Sequence, residues 1–404
     1  MKCQPLTGSL RRSALSAAVT AALVLLIGAR AGAAWMLTRA DFSRQPVRLI
    51  SIDQQTVRCA ALSGDQQVMV VPLDRFLSLD EEAVPSPPGG LLLLLRDGDQ
   101  IWGVPGGCRD EQLAWHNRLL GEMRVPLSQI LAIAADERLL EPGPAALEDR
   151  VELRNGDSAA GIVTDVTQSH LALSANGAEM HVPLNTVLRV HFAQVGPVPR
   201  REGRAFQLRL VDGSLITASA LNVDADSAEL HLKAGTRKLP LGSIIRIEQL
   251  DGPVSWLSSR QPSLTVQVPF FGGRTWPTRM DRSVDGSPIR FGRRTFARGI
   301  GVHAYSRLEW ELDGSYQAFR TQYAMASQER SQYADVTVRI KLDGRIVHER
   351  VNFRAGVLAE PVLIDLPPQA RLLTLEVDYG EANDTQDRFN WIEPALLKVK
   401  PAGE

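Results

Sequence analysis

Leu91-Leu92-Leu93-Leu94-Leu95-Arg96-Asp97-Gly98-Asp99 runs five aliphatic residues straight into an Asp-Gly turn. An apolar strand of that length, followed by a turn that supplies positive φ, is the opening of a β-hairpin. The same phrase returns at Arg154-Asn155-Gly156-Asp157 and Val211-Asp212-Gly213-Ser214, so that Gly98, Gly156 and Gly213 lie 58 and 57 residues apart. A period this constant marks an internal repeat. A second marker keeps nearly the same phase, as Val71-Pro72-Leu73, Val125-Pro126-Leu127, Val182-Pro183-Leu184 and Leu239-Pro240-Leu241.

Inside each unit the pattern alternates, as in His170-Leu171-Ala172-Leu173 and Glu229-Leu230-His231-Leu232, with the histidines on the polar, solvated phase. Each Pro marker leads through a short turn to a last apolar strand, at Ile130 to Ala134, Val187 to Phe192 and Ile244 to Ile247. Strand, hairpin, strands, short turn and last strand predict tandem small barrels of the SH3-like or Sm-like kind over 91–136, 150–193 and 205–250. A first copy over 41–80 lacks the opening hairpin and reads as a partial unit. Pro and Gly clusters at Val84 to Gly90, Glu141 to Pro144 and Val195 to Pro199 read as linkers, which makes the repeats beads. No unit shows an aromatic groove for proline-rich ligands, so the repeats are expected to act as spacers or partner contacts.

At the N-terminus, Lys2, Arg11 and Arg12 precede an apolar run from Ala14 to Gly28 and the small residues Ala31-Gly32-Ala33-Ala34. This predicts a signal peptide over 1–34 and export to the periplasm, cell surface or medium. The run is shorter than the roughly 20 apolar residues of a spanning helix. With 45 Lys and Arg against 46 Asp and Glu, the chain has no basic field for phosphate backbones, and nucleic acid is not an expected partner. Of three cysteines, Cys59 and Cys108 lie beyond the leader, which excludes a disulfide-rich scaffold and leaves a bond between them open.

The C-terminal third carries a different vocabulary. Asp281-Arg282-Ser283-Val284-Asp285-Gly286, Gly299-Ile300-Gly301-Val302-His303-Ala304, Leu308 to Gly314 and Asp387-Arg388-Phe389-Asn390-Trp391-Ile392 follow one another in order. In residues and spacing this resembles the NPCBM family, the carbohydrate-binding module known from family 98 glycoside hydrolases. The resemblance implies a jelly-roll β-sandwich similar to galactose-binding domains, over 264–400, and alternation at Leu373, Leu375 and Val377 agrees with it. The expected fold class is all-β throughout.

Sugar recognition needs aromatic faces for the CH surface of a ring and charged or amide groups for its hydroxyls. The module supplies Trp276, His303, Tyr305, Glu329, Arg388, Asn390 and Trp391 as carbohydrate-binding candidates, and the resemblance favours His303 and the Arg388 to Trp391 segment. Trp391 also reads as a core residue. Where the family it resembles commonly has a Gly-Val-Asp-like segment, the chain has Tyr323-Ala324-Met325-Ala326-Ser327, which removes an acidic contact and leaves two readings open: Glu329 replaces it, or sugar binding is lost.

No spacing singles out a pair of carboxylates, and His-Glu-x-x-His, Gly-x-Ser-x-Gly and phosphate-binding glycine loops are absent, so the chain is not read as an enzyme. Asp378, Glu381, Asp384 and Asp387 could offer oxygens to a structural calcium ion, although they match no defined calcium loop. Three functional readings remain: an exported carbohydrate-binding protein, an envelope component that contacts other proteins, and an accessory subunit of a glycoside hydrolase.

Overall fold

The computed structural model describes residues 34–398, apart from 63–66, 140–147, 195, 197–202, 271, 273–274, 327–331 and 382. Regular structure among the described residues is all strand and single 3-10 turns, and no helix is long and apolar enough to cross a membrane. The leader, one expected linker and most of another fall outside these residues.

The first three repeats are five-strand units, and the fourth follows the same plan with its second strand broken into Leu215–Ala218 and Ala220–Val223. In the second repeat, Leu91–Leu95, Gln100–Arg109, Gln112–Asn117 and Gly121–Pro126 pair in succession, and Ile130–Ala134 returns to the free side of the first strand. The Pro marker has a physical reason. Pro72, Pro126, Pro183 and Pro240, at φ between −59° and −56°, each end a fourth strand and lead into a 3-10 turn. The ring holds φ near the value such a turn needs, and the fourth strand spares a backbone donor.

The first unit is complete rather than partial. Trp35–Arg39 pairs with Arg44–Ile52 on one side and Phe76–Glu81 on the other. Its hairpin hides from a glycine search because Phe42 takes the positive φ, at 65°, and Asp41 accepts the Ser43 amide.

The units are also not beads. The last strands of the first and fourth units pair antiparallel, as do those of the second and third. Each pairing covers a strand edge that would otherwise stand open. The fourth unit's turn at Asp212-Gly213-Ser214 is buried against the second unit, where Asn117 donates to Asp212 at 2.7 Å and Ser214 receives the Trp102 amide. One hydrophobic cluster, from Trp35 through Leu93 and Val151 to Ile247, runs through all four units. Residues that the sequence marks as a hairpin turn are here interface residues.

The C-terminal module is a sandwich. One sheet orders Leu264–Gln267, Ser306–Glu311, Leu372–Tyr379, Asp335–Leu342 and Arg345–Arg354. The other orders Arg279–Met280, Gly299–His303, Arg388–Leu397, Ala318–Met325 and Val362–Asp365, and Val254–Trp256 joins it on Arg388–Leu397. That short strand begins the module ahead of residue 264. Between the sheets lie Trp310, Phe319, Phe389 and Trp391, all at most 1% exposed.

The module sits directly on the repeats. Leu77, Ala40 and Phe42 of the first unit pack with Val254, Trp256, Ala318, Ala395 and Leu397, and the Arg320 guanidinium lies 3.9 Å from the Phe42 ring centroid. Arg298 reaches Glu248 of the fourth unit, and Arg282 pairs with Glu137. The two cysteines are separate thiols: Cys59 is buried, and burial outweighs nearby Arg39 to push its pKa up to about 12.

Candidate functional site

Strand alternation sends Phe389 and Trp391 inward and puts Arg388 and Asn390 on the outer face of the six-stranded sheet. His303 is the direct cross-strand partner of Arg388, so the two side chains emerge together. Trp276 lies over that pair, stacked on His303 at 5.8 Å with rings 10° apart and with the Arg388 guanidinium 5.3 Å from its centroid. This is a cation–π arrangement built on two neighbouring strands.

Trp276 and His303 line a small surface opening together with Gln267, Val268, Pro269, Thr275, Tyr305 and Asp384. His303 Nδ1 lies 3.0 Å from the Ala304 carbonyl, which assigns the proton to Nδ1 and leaves Nε2 as an acceptor. Burial holds the His303 pKa below its ordinary value, with Arg388 adding to the effect, so the ring is neutral at pH 7. Tyr305 donates to Glu376 at 3.2 Å, and burial followed by that carboxylate's charge raises the phenol's pKa. The opening therefore offers an aromatic ring, an imidazole acceptor and a carboxylate in its lining, with the Arg388 guanidinium behind them against the Trp276 ring.

Four of the expected residues, Trp276, His303, Tyr305 and Arg388, are thus brought together. Asn390 is fully buried, two residues along the same face, where Arg282 to Val284 press onto its partner Gly301 so closely that a Cβ there would meet the Val284 nitrogen at 2.4 Å. Trp391 is a core residue at 0% exposure. Glu329 lies outside the described residues.

Sequence reasoning missed Gln267 and Thr275, and it read Asp384 as a loop acid and candidate calcium ligand rather than as a sugar contact. No local signal marks them, because the chain segments that carry them meet only in the folded module. The four acids weighed for calcium are dispersed. Asp378 takes the Arg339 guanidinium at 2.8 Å, Glu381 is exposed, Asp384 is at the opening and Asp387 is fully buried. Among the described residues no three His, Cys, Asp or Glu side chains are gathered for a metal.

The family model of the NPCBM/NEW2 domain matches residues 255–397, so the C-terminal third of the chain carries an NPCBM/NEW2 domain. Among solved structures, the chain is similar to the CBM51 module from Clostridium perfringens GH95 in complex with methyl-galactose, at 21% identity and a TM-score of 0.30, over 35% of this chain and 99% of that one. It is similar to CBM51-2 in complex with GlcNAc and INT domains from Clostridium perfringens ZmpB, at 18% identity and a TM-score of 0.33, over 45% and 43%. It is also similar to the tandem CBM51 modules of the family 98 glycoside hydrolase of Streptococcus pneumoniae SP3-BS71, at 12% identity and a TM-score of 0.31, over 76% and 88%. This chain spans less than half the length of the ZmpB structure. No curated protein matches the chain.

Proposed function

We propose that this chain is an exported, non-catalytic carbohydrate-binding protein whose opening at Trp276, His303 and Arg388 holds one ring of a glycan. One observation carries the reading: within an NPCBM/NEW2 domain, an indole lies over a guanidinium–imidazole pair at the lip of a surface opening. The indole suits the CH face of a pyranose, while Arg388, His303 Nε2 and Asp384 suit its hydroxyls. The repeats, taken as small SH3-like barrels, would serve as a fixed platform rather than a flexible tether. Export through a leader over 1–34 would deliver the chain to glycan-bearing surfaces.

The test is a glycan array probed with the chain from residue 35 to 404, beside Trp276→Ala and Arg388→Ala. GlcNAc and methyl-galactose, named for two of the similar structures, belong on it. Signal lost in folded variants supports the reading, and a silent array for the unaltered chain removes it.

A second reading, contact with envelope proteins, is favoured by the exposed fourth strands of the first and third units. Val68 and Val70 are 51% and 54% exposed on Val68–Pro72, and Met180 is 40% exposed on Ala178–Pro183. Glycan-independent capture of an envelope protein, lost on Val68→Lys with Val70→Lys, would support it.

A further inference from the structure

We propose that the sugar site continues into a second subsite on Phe270 and Tyr379, so that the chain's ligand is a neutral glycan of at least two units rather than a single ring. The proposal rests on the sugar-binding reading above and extends it to residues that neither the sequence motifs nor the first opening include.

The two places are continuous. Tyr305, in the wall of the opening, has its ring centroid 6.3 Å from that of Tyr379, and Tyr379 in turn meets Phe270 edge to face at 5.3 Å and 87°. Phe270 is anchored to the opening from two sides. Its amide donates to Asp384 at 3.0 Å, and the Tyr379 hydroxyl donates to the carbonyl of Val268, two residues earlier. Asp384 and Val268 both line the opening.

Although its backbone is fixed in this way, Phe270 is 45% exposed, and among the described residues it is the one phenylalanine left so open. A large ring left in water forgoes part of the roughly 1.5–3 kcal/mol that burial would give. A ring held rigid and open beside a site already shaped for a pyranose is suited to the apolar face of the next one. Trp276 and Phe270 are then both linked to Asp384, a hydroxyl acceptor: Trp276 lines the same opening, and the Phe270 amide donates to its carboxylate.

Charge narrows the class. Arg388 lies on the Trp276 side, whereas the Phe270 side holds Asp384, with Glu376 and Asp378 beyond Tyr305 and Tyr379. Arg339 pairs with both Glu376 and Asp378, and Lys341 with Glu376, so these charges engage one another and Asp384 is the acid that sets the charge at the second position. A uronic or sialic acid at the second position would meet the Asp384 carboxylate, whereas a neutral sugar would offer it hydroxyl donors.

The experiment is calorimetric titration of the chain from residue 35 to 404 with two probe pairs, GlcNAc against its β-1,4 dimer and methyl β-galactoside against lactose. The expected result is that, for the sugar bound, the disaccharide binds about tenfold or more tightly than the single ring, a difference of about 1.4 kcal/mol. In Phe270→Ala and Phe270→Leu that ratio falls to about one, and Phe270→Trp retains it. The leucine variant keeps apolar bulk, so a ratio lost in both small and bulky variants reports the ring and not a folding defect. Equal binding of the two members of each pair, or a ratio unchanged in both variants, overturns the second subsite and leaves the first standing. No binding of any probe by the unaltered chain overturns both.

Discussion

Arg298 of the module and Glu248 of the fourth repeat face each other in a bidentate pair, Nε to Oε1 at 2.8 Å and Nη2 to Oε2 at 2.9 Å, with Glu248 only 2% exposed. Asp281 takes the remaining Arg298 nitrogen at 2.7 Å, and Arg246 joins Glu248 to Asp80 of the first repeat. Burial alone would push the Glu248 carboxyl upward. The charges of Arg298 and Arg246 and their hydrogen bonds outweigh it and hold the pKa at about 2.

Arg298→Ala therefore leaves a carboxylate buried with one partner fewer. The expected loss is about 3–5 kcal/mol in urea unfolding. The double variant Arg298→Met with Glu248→Leu recovers much of it, because the uncompensated charge goes with its partner. An Arg298→Ala chain as stable as the parent would mean that the lock holds nothing.

The three repeated turns separate sequence likeness from structural role. A Cβ at Gly98 or Gly156 meets nothing within 4 Å, whereas one at Gly213, at φ of +85°, meets the Trp102 indole nitrogen at 3.2 Å. Alanine at Gly98 or Gly156 carries only the left-handed backbone penalty, about 1–2 kcal/mol. Alanine at Gly213 adds a tight contact with the Trp102 indole inside the joint between repeats. Thermal melts of the three single variants should place Gly213→Ala clearly lowest.

Trp276 and Trp391 should divide function from packing. Trp391→Ala is expected to cost about 3–5 kcal/mol of stability, as large truncations in cores do. Trp276→Ala should leave the melting temperature close to that of the parent while glycan binding disappears. A Trp276→Ala chain that binds normally would move the site elsewhere.

Asp387 should give the module a pH signature. Burial raises its pKa to about 8, with the charges of Asp384 and Asp335 adding to the rise against the Asp335 amide hydrogen bond. The folded state thus prefers the neutral acid. Its contribution is full below the ordinary value of 3.8 and is lost as pH climbs toward about 8. Asp387→Asn removes that slope. The stability difference between variant and parent should shift in the variant's favour from pH 5 to pH 8, and a difference independent of pH would reject the assignment.

How much of this was legible depends on how local each signal is. The later hairpins could be read because an Asp-Gly or Asn-Gly turn needs positive φ, and the 3-10 turns because proline sets φ near theirs. The opening strand at Trp35–Arg39 escaped because Asp41 and Phe42 make its turn without glycine. His303 and Arg388 could be named from motifs, but their adjacency depends on strand register. Asp384 and Phe270 carry no pattern at all.

By itself, the sequence determined an all-β chain of period near 57, and a C-terminal module with the order of motifs of a sugar-binding family. These follow from backbone preferences and side-chain alternation, which act over a few residues. Only the tertiary structure decided that the repeats pair through their last strands, that the module is locked to them by Arg298 and Glu248, and that Trp276 lies over His303 and Arg388. Such contacts join residues tens to hundreds apart, and a polar side chain looks the same in sequence whether it will face water or a buried partner.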